Sequence, residues 1–104
     1  MKVQVLSIDG CPSAEAALAH TRSALEAIGL SDVVVADVTI RTPEGAAAHS
    51  FAGSPTIIVD GSDLFESGGR TDQLACRVYP TEAGLKGAPT AEQIAAALEA
   101  RLQA

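Results

Sequence analysis

Apolar positions along the chain change period several times, and each change marks an element boundary. Val3, Val5, Leu6 and Ile8 make an opening run whose alternation is incomplete, as in a strand buried on both faces. Asp9-Gly10 ends that run as a turn. From Pro12 to Ile28 the period becomes helical: Ala14, Leu18, Thr21, Leu25 and Ile28 share one side, and Glu15, Ala19, Arg22, Ser23 and Glu26 cover most of the other. Pro12 suits the first helical turn, where a missing N–H costs nothing. Gly29 reads as the C-cap, and Val33 to Ile40 as a second strand. Strand, helix and strand joined by such short connections form a βαβ unit with parallel strands and a right-handed crossover.

Thr42-Pro43-Glu44 predicts a helix start, with Thr42 as cap and a helix running to about Phe51. Ala52-Gly53-Ser54-Pro55 breaks it, and Thr56 to Val59 is a third strand closed by Asp60-Gly61. A proline entering a buried strand suits a cis peptide or an edge position, since it cannot donate to the ladder. Ser62 to Asp72 is polar and carries no clear period. Ala75 to Tyr79 reads as a fourth strand, antiparallel to the third, and Pro80 to Pro89 as a turn-rich linker. Thr90-Ala91-Glu92-Gln93 is a capping-box pattern opening a last helix with Ile94, Ala97, Leu98 and Leu102 on one stripe. The order β-α-β-α-β-β-α predicts an α/β fold with a central mixed four-stranded sheet flanked by helices.

Composition narrows the functions. The 104 residues suit one domain, 1–104, and 47% hydrophobic residues with only 3% aromatics predict an aliphatic core and no base-stacking surface. A formal charge of -6 argues against nucleic acid and anionic membranes as partners. No stretch approaches the roughly 20 apolar residues of a membrane span, so the expectation is a soluble, cytoplasmic protein. Two cysteines, Cys11 and Cys76, are too few for a disulfide scaffold and too far apart for a local zinc knuckle.

Cys11 lies between the first strand and the first helix, at the carboxyl end of a βαβ strand, where ligands and chemistry sit in such units. A thiol close to the N–H groups and positive dipole end of a helix is favoured as thiolate. At 100° per residue it projects near the meridian of Leu18 and Leu25, towards the sheet. The alternative is a small buried core residue, common for free cysteine; the turn-to-helix position favours the reactive reading. Ser13 either donates a hydrogen bond to the sulfur or serves the helix start. Cys76 is a core residue, a resolving thiol or a second metal ligand. Pairing with Cys11 needs Cα atoms within about 7 Å, and an antiparallel fourth strand brings Tyr79, not Cys76, to the Cys11 end, by roughly 10 Å. His20 falls opposite Leu18 and reads as solvated, and His49 as an exposed helix position. Asp37 reads as an edge or strand-end residue, with a buried proton-transfer acid as the alternative. Asp60, Asp63, Glu66 and Asp72 lack calcium-loop spacing and read as a solvated loop.

The element order, Cys11-Pro12 at the first helix tip and Ser54-Pro55-Thr56 at the third strand together resemble the thioredoxin superfamily over essentially the whole chain. That resemblance implies a thioredoxin fold with Cys11 as nucleophile, Ala14 standing where the resolving cysteine is usual, and Pro55 as the cis-proline whose preceding residue, Ser54, presents backbone to a substrate disulfide. Cys76-Arg77-Val78-Tyr79 is similar to a late segment in small bacterial thioredoxin-like proteins, some associated with mercury or organomercurial handling. In a glutaredoxin-like register, a short strand at Asp63 to Glu66 and Gly68-Gly69 with Asp72 imitate a glutathione-binding turn; the first register uses the last helix to cover the sheet. The implied function is cofactor-free thiol-disulfide exchange through one cysteine, that of a monothiol oxidoreductase, with a disulfide-bearing protein or a low-molecular-weight thiol as partner. Two alternatives stand beside it: a soft metal such as mercury held by Cys11 and Cys76, whose thiolates suit such a cation, and a non-catalytic interaction module.

Overall fold

The computed structural model describes residues 1–65 and 74–103. Strand β1 (Val3–Ile8) pairs in parallel with β2 (Val35–Ile40), in a register running from Val3 opposite Val35 to Ile8 opposite Ile40. Strand β3 (Thr56–Val59) lies antiparallel on the other side of β1, with Leu6 opposite Thr56, and β4 (Ser62–Asp63) closes the sheet antiparallel to β3. The result is a compact α/β fold on a mixed four-stranded sheet of order β2-β1-β3-β4. Its helices are α1 (Ala14–Ala27), α2 (Pro43–Ala48) and α3 (Ala91–Gln103).

The period-2 pattern of the strands sorts side chains between two cores. Val3, Val5, Ile57 and Val59 pack with Ala17, Ala24 and Leu25 of α1 and with Ile94 and Leu98 of α3. Leu6 and Ile58 face the opposite way and pack with Ile40, Ala46 of α2 and Phe51. Both faces of β1 and β3 are therefore covered, which explains why apolar side chains point to both sides of each strand. Arg101 of α3 donates to the Val59 and Asp63 carbonyls at 2.7 and 2.8 Å, tying the last helix to the β3–β4 edge. The caps at Thr42 and Thr90 form as their spacing predicts. Thr42 Oγ1 accepts from Gly45 N at 3.0 Å, while Thr90 and Gln93 exchange bonds of 2.8 and 3.1 Å.

Three expectations are corrected. Helix α1 begins at Ala14, not Pro12, because its first helical bond is Ala17 N to Ser13 O. The fourth sheet strand is Ser62–Asp63, not Ala75 to Tyr79; the latter stretch has one isolated parallel bridge, Ser54 to Cys76, before it enters a hairpin. That hairpin, β5 (Tyr79–Thr81) with β6 (Gly84–Lys86), replaces the predicted linker, and Gly84 supplies the positive φ its turn needs. The glutaredoxin-like turn at Gly68-Gly69 with Asp72, and Glu66, lie outside the described residues.

Candidate functional site

Three stretches distant in sequence meet at the carboxyl end of β1. The first is the turn Ile8 to Cys11, where Gly10 adopts φ +72° and Cys11 N donates to Ile8 O at 3.3 Å. Ala14 N donates to Cys11 O at 3.3 Å, so Cys11 and Pro12 lie in turns ahead of the N-cap residue Ser13. Cys11 is half-buried and free. Ser13 makes no side-chain capping bond. It is instead crowded by Gly87, whose backbone comes so near that a Cβ there would meet Ser13 Oγ at 2.0 Å.

The second stretch is Gly53-Ser54-Pro55, with a cis peptide between Ser54 and Pro55. The β1–β3 register, carried two residues past Leu6 and Thr56, sets Ile8 level with Ser54. There the ladder changes character: Ile8 N donates to Ser54 Oγ, at 3.0 Å, instead of to a main-chain carbonyl. Ser54 is 1% exposed, so this bond satisfies a buried hydroxyl and pins the β3 entrance to the strand that carries Cys11. Thr56 Oγ1 donates to Gly53 O and accepts from Ala52 N, closing the same bend.

The third stretch is Ala75 to Tyr79. Ser54 N donates to Ala75 O at 2.9 Å, and Arg77 N donates to Ser54 O at 2.8 Å, so both main-chain groups of Ser54 are taken. Arg77 bonds Asp63 at 2.9 Å with both side chains largely buried, donates to Phe65 O at 3.3 Å, and lies over the Tyr79 ring with Cζ 4.5 Å from its centroid. Tyr79 donates its hydroxyl to Pro55 O and packs edge-on against Phe65, with ring centroids 5.6 Å apart. Burial pushes the Tyr79 phenol well above the usual tyrosine range; Arg77 opposes that shift and Asp63 adds to it. Gly53, at φ +113°, is required by contact as well as by conformation, because a Cβ there would lie 2.8 Å from Arg77 Cβ.

The predicted site residues therefore fall into place unevenly. Ser54 and Pro55 link the β1 end to the Cys76 segment, and Cys76 is exposed, which corrects its reading as a core residue. The geometric objection to a Cys11–Cys76 pair also loses its premise, since Cys76, and not Tyr79, stands level with Ser54. His20 is half-buried and not simply solvated: its Nδ1 donates to Pro89 O at 2.8 Å, because the segment leading into α3 crosses α1 there. Asp63 is a largely buried ion-pair partner on β4 and not a solvated loop charge. His49 is exposed, and Asp37 is exposed on the edge strand β2, as read from the sequence. Arg77, Tyr79, Gly53 and Gly87 were missed as site builders; an arginine and the sole tyrosine beside Cys76 were the signal available.

Among the described residues, no group of three or more His, Cys, Asp or Glu side chains gathers to hold a metal ion. No helix among them is long and apolar enough to cross a membrane. No protein-family model, curated protein or solved structure matches the chain.

Proposed function

We propose that the chain is a thiol-disulfide exchange protein of thioredoxin type that uses Cys11 as its nucleophile. The observation that carries this reading is the bond from Ile8 N to Ser54 Oγ. It joins the strand end that launches the Cys11 turn to the entrance of β3 at cis Pro55, so a free, half-buried thiol stands at the carboxyl end of β1 over a rigid wall. The strand order β2-β1-β3-β4, with β1 parallel to β2 and antiparallel to β3, supports the same reading.

In this reading the Cys11 thiolate attacks one sulfur of a disulfide. The S–S bond breaks, a mixed disulfide forms on Cys11, and the other sulfur leaves as a thiolate that takes a proton from water. Ser54 and Pro55 form the wall behind the attacked sulfur, and Ser13 borders the turn. The test is turnover of a small disulfide, hydroxyethyl disulfide, with a thiol reductant. The wild type accelerates the exchange and Cys11→Ser loses the acceleration; equal rates in the two proteins overturn the reading.

A further inference from the structure

Ser54 has neighbours on two sides. On one, Ile8 donates to its hydroxyl, and the chain then turns back so that Cys11 N reaches Ile8 O. On the other, its N–H and carbonyl are both bonded to Ala75 and Arg77. A free backbone edge is what an extended polypeptide pairs with when it docks by strand addition. At Ser54 that edge is filled by the molecule's own backbone. The residue in register with Ser54 in this bridge is Cys76, an exposed and free thiol.

The filling segment is firmly held. Arg77 is clamped by Asp63, the Phe65 carbonyl and the Tyr79 ring, Tyr79 is bonded to Pro55 O, and Gly53 leaves room for the Arg77 side chain to lie against it. Cys76 itself takes no part in that clamp. Its neighbours fix its backbone while its side chain stays accessible.

We propose that Cys76 is the built-in partner of Cys11: it occupies the register position of an incoming chain's cysteine and resolves the mixed disulfide formed on Cys11. The proposal rests on the reading of Cys11 as the exchanging thiol. In the step, the Cys76 thiolate attacks Cys11 Sγ. The bond from Cys11 to the small thiol breaks, that thiol leaves as a thiolate and is protonated by water, and a Cys11–Cys76 disulfide forms. One external disulfide is thereby reduced to two thiols, and two cysteine thiols are oxidised to one internal disulfide. Both cysteines are free in this structure. Bond formation needs their Cα atoms within about 7 Å, and the Cys11 turn, held by main-chain bonds of 3.3 Å and a solvent-exposed Asp9–Arg41 ion pair, is the less firmly held of the two sides.

The experiment treats the reduced full chain with oxidised glutathione and follows intact mass, with peptide mapping of the linked cysteines. In the wild type the glutathione adduct at Cys11 is short-lived and gives way to a form in which Cys11 and Cys76 are joined. In Cys76→Ser the adduct at Cys11 outlives the wild-type adduct by about tenfold or more, because no second thiolate attacks it. Equal adduct lifetimes in the two proteins, or separate adducts on both cysteines with no link, overturn the proposal while leaving Cys11 as the exchanging thiol. Absence of any adduct at Cys11 in Cys76→Ser, with no linked form in the wild type, overturns both readings.

Discussion

Cys11 is carried by a turn held by main-chain bonds of 3.3 Å on either side and by an exposed Asp9–Arg41 ion pair at 3.1 Å, and the serine two residues on makes no capping bond. Cys76 is carried by a segment fixed by two main-chain bonds to Ser54, a largely buried ion pair, a stacked guanidinium and a buried phenol. The largely buried ion pair thus lies on the stretch that carries the exposed cysteine, while the ion pair at the Cys11 turn is solvent-exposed and contributes little. The contrast is one of rigidity, and substitutions on either side of it act very differently.

The largest effect is expected at Gly53→Ala. A side chain at φ +113° costs on the order of 1–3 kcal/mol, and the 2.8 Å approach to Arg77 Cβ adds overpacking of similar size. Urea unfolding should show a loss of about 3 kcal/mol. A loss below a few tenths would mean that the Ala75 to Tyr79 segment is not seated against Gly53 as described.

Next in size is the clamp itself. Arg77→Leu leaves Asp63 largely buried without its partner, an uncompensated charge that costs about 2–3 kcal/mol. Asp63→Asn in the Arg77→Leu background should recover part of that loss, because it removes the stranded charge. Hydrogen exchange sharpens the test: the Arg77 amide, bonded to Ser54 O, should lose protection in Arg77→Leu well before the amides of β1 do. Uniform loss across the sheet would make the clamp part of the global core and erase the contrast with the Cys11 turn.

Tyr79→Phe removes the bond to Pro55 O and leaves that carbonyl short of a partner, at about 1–2 kcal/mol. Its pH signature is separate. Burial raises the folded-state phenol above its unfolded value near 10, so the native state holds a proton that the unfolded state releases first. The stabilisation is fully present below pH 10 and is lost as pH rises beyond it. Wild-type stability should therefore fall above pH 10, and the fall should be shallower in Tyr79→Phe. Parallel alkaline curves would place the loss elsewhere.

These same elements show which parts of the molecule the sequence makes legible. The β1, α1 and β2 pattern, the Thr42 cap, the Thr90–Gln93 box and the Pro55 strand entrance are local signals, readable from spacing within one or two turns of chain. Strand β4 is two polar residues, Ser62 and Asp63, with no apolar alternation, so nothing in its own composition marks it. Ala75 to Tyr79 has strand-like composition, but its pairing is decided by Arg77 reaching Asp63, fourteen residues back, and by the Tyr79 hydroxyl reaching Pro55. Propensity gave a strand, and tertiary bonds made it a strap. Gly87 looked like linker, and only its approach to Ser13 gives it a reason.

Ser13 supplies the smallest expected effect and the finest probe of the Cys11 turn. A true N-cap serine or threonine costs about 1 kcal/mol when truncated to alanine. Thr90, which accepts from Gln93 N at 3.1 Å, should show that cost at Thr90→Ala. Ser13 occupies the N-cap position of α1 without the bond, so Ser13→Ala should fall within a few tenths of a kcal/mol of wild type. Its hydroxyl is nevertheless the atom that a side chain at position 87 strikes. Gly87→Ala should therefore destabilise the wild type more than it destabilises Ser13→Ala, and the double-mutant cycle isolates that contact. If Ser13→Ala instead costs as much as Thr90→Ala, the serine caps the helix in solution, and the Cys11 turn is held by a side-chain bond of the kind that the Cys76 segment has in plenty.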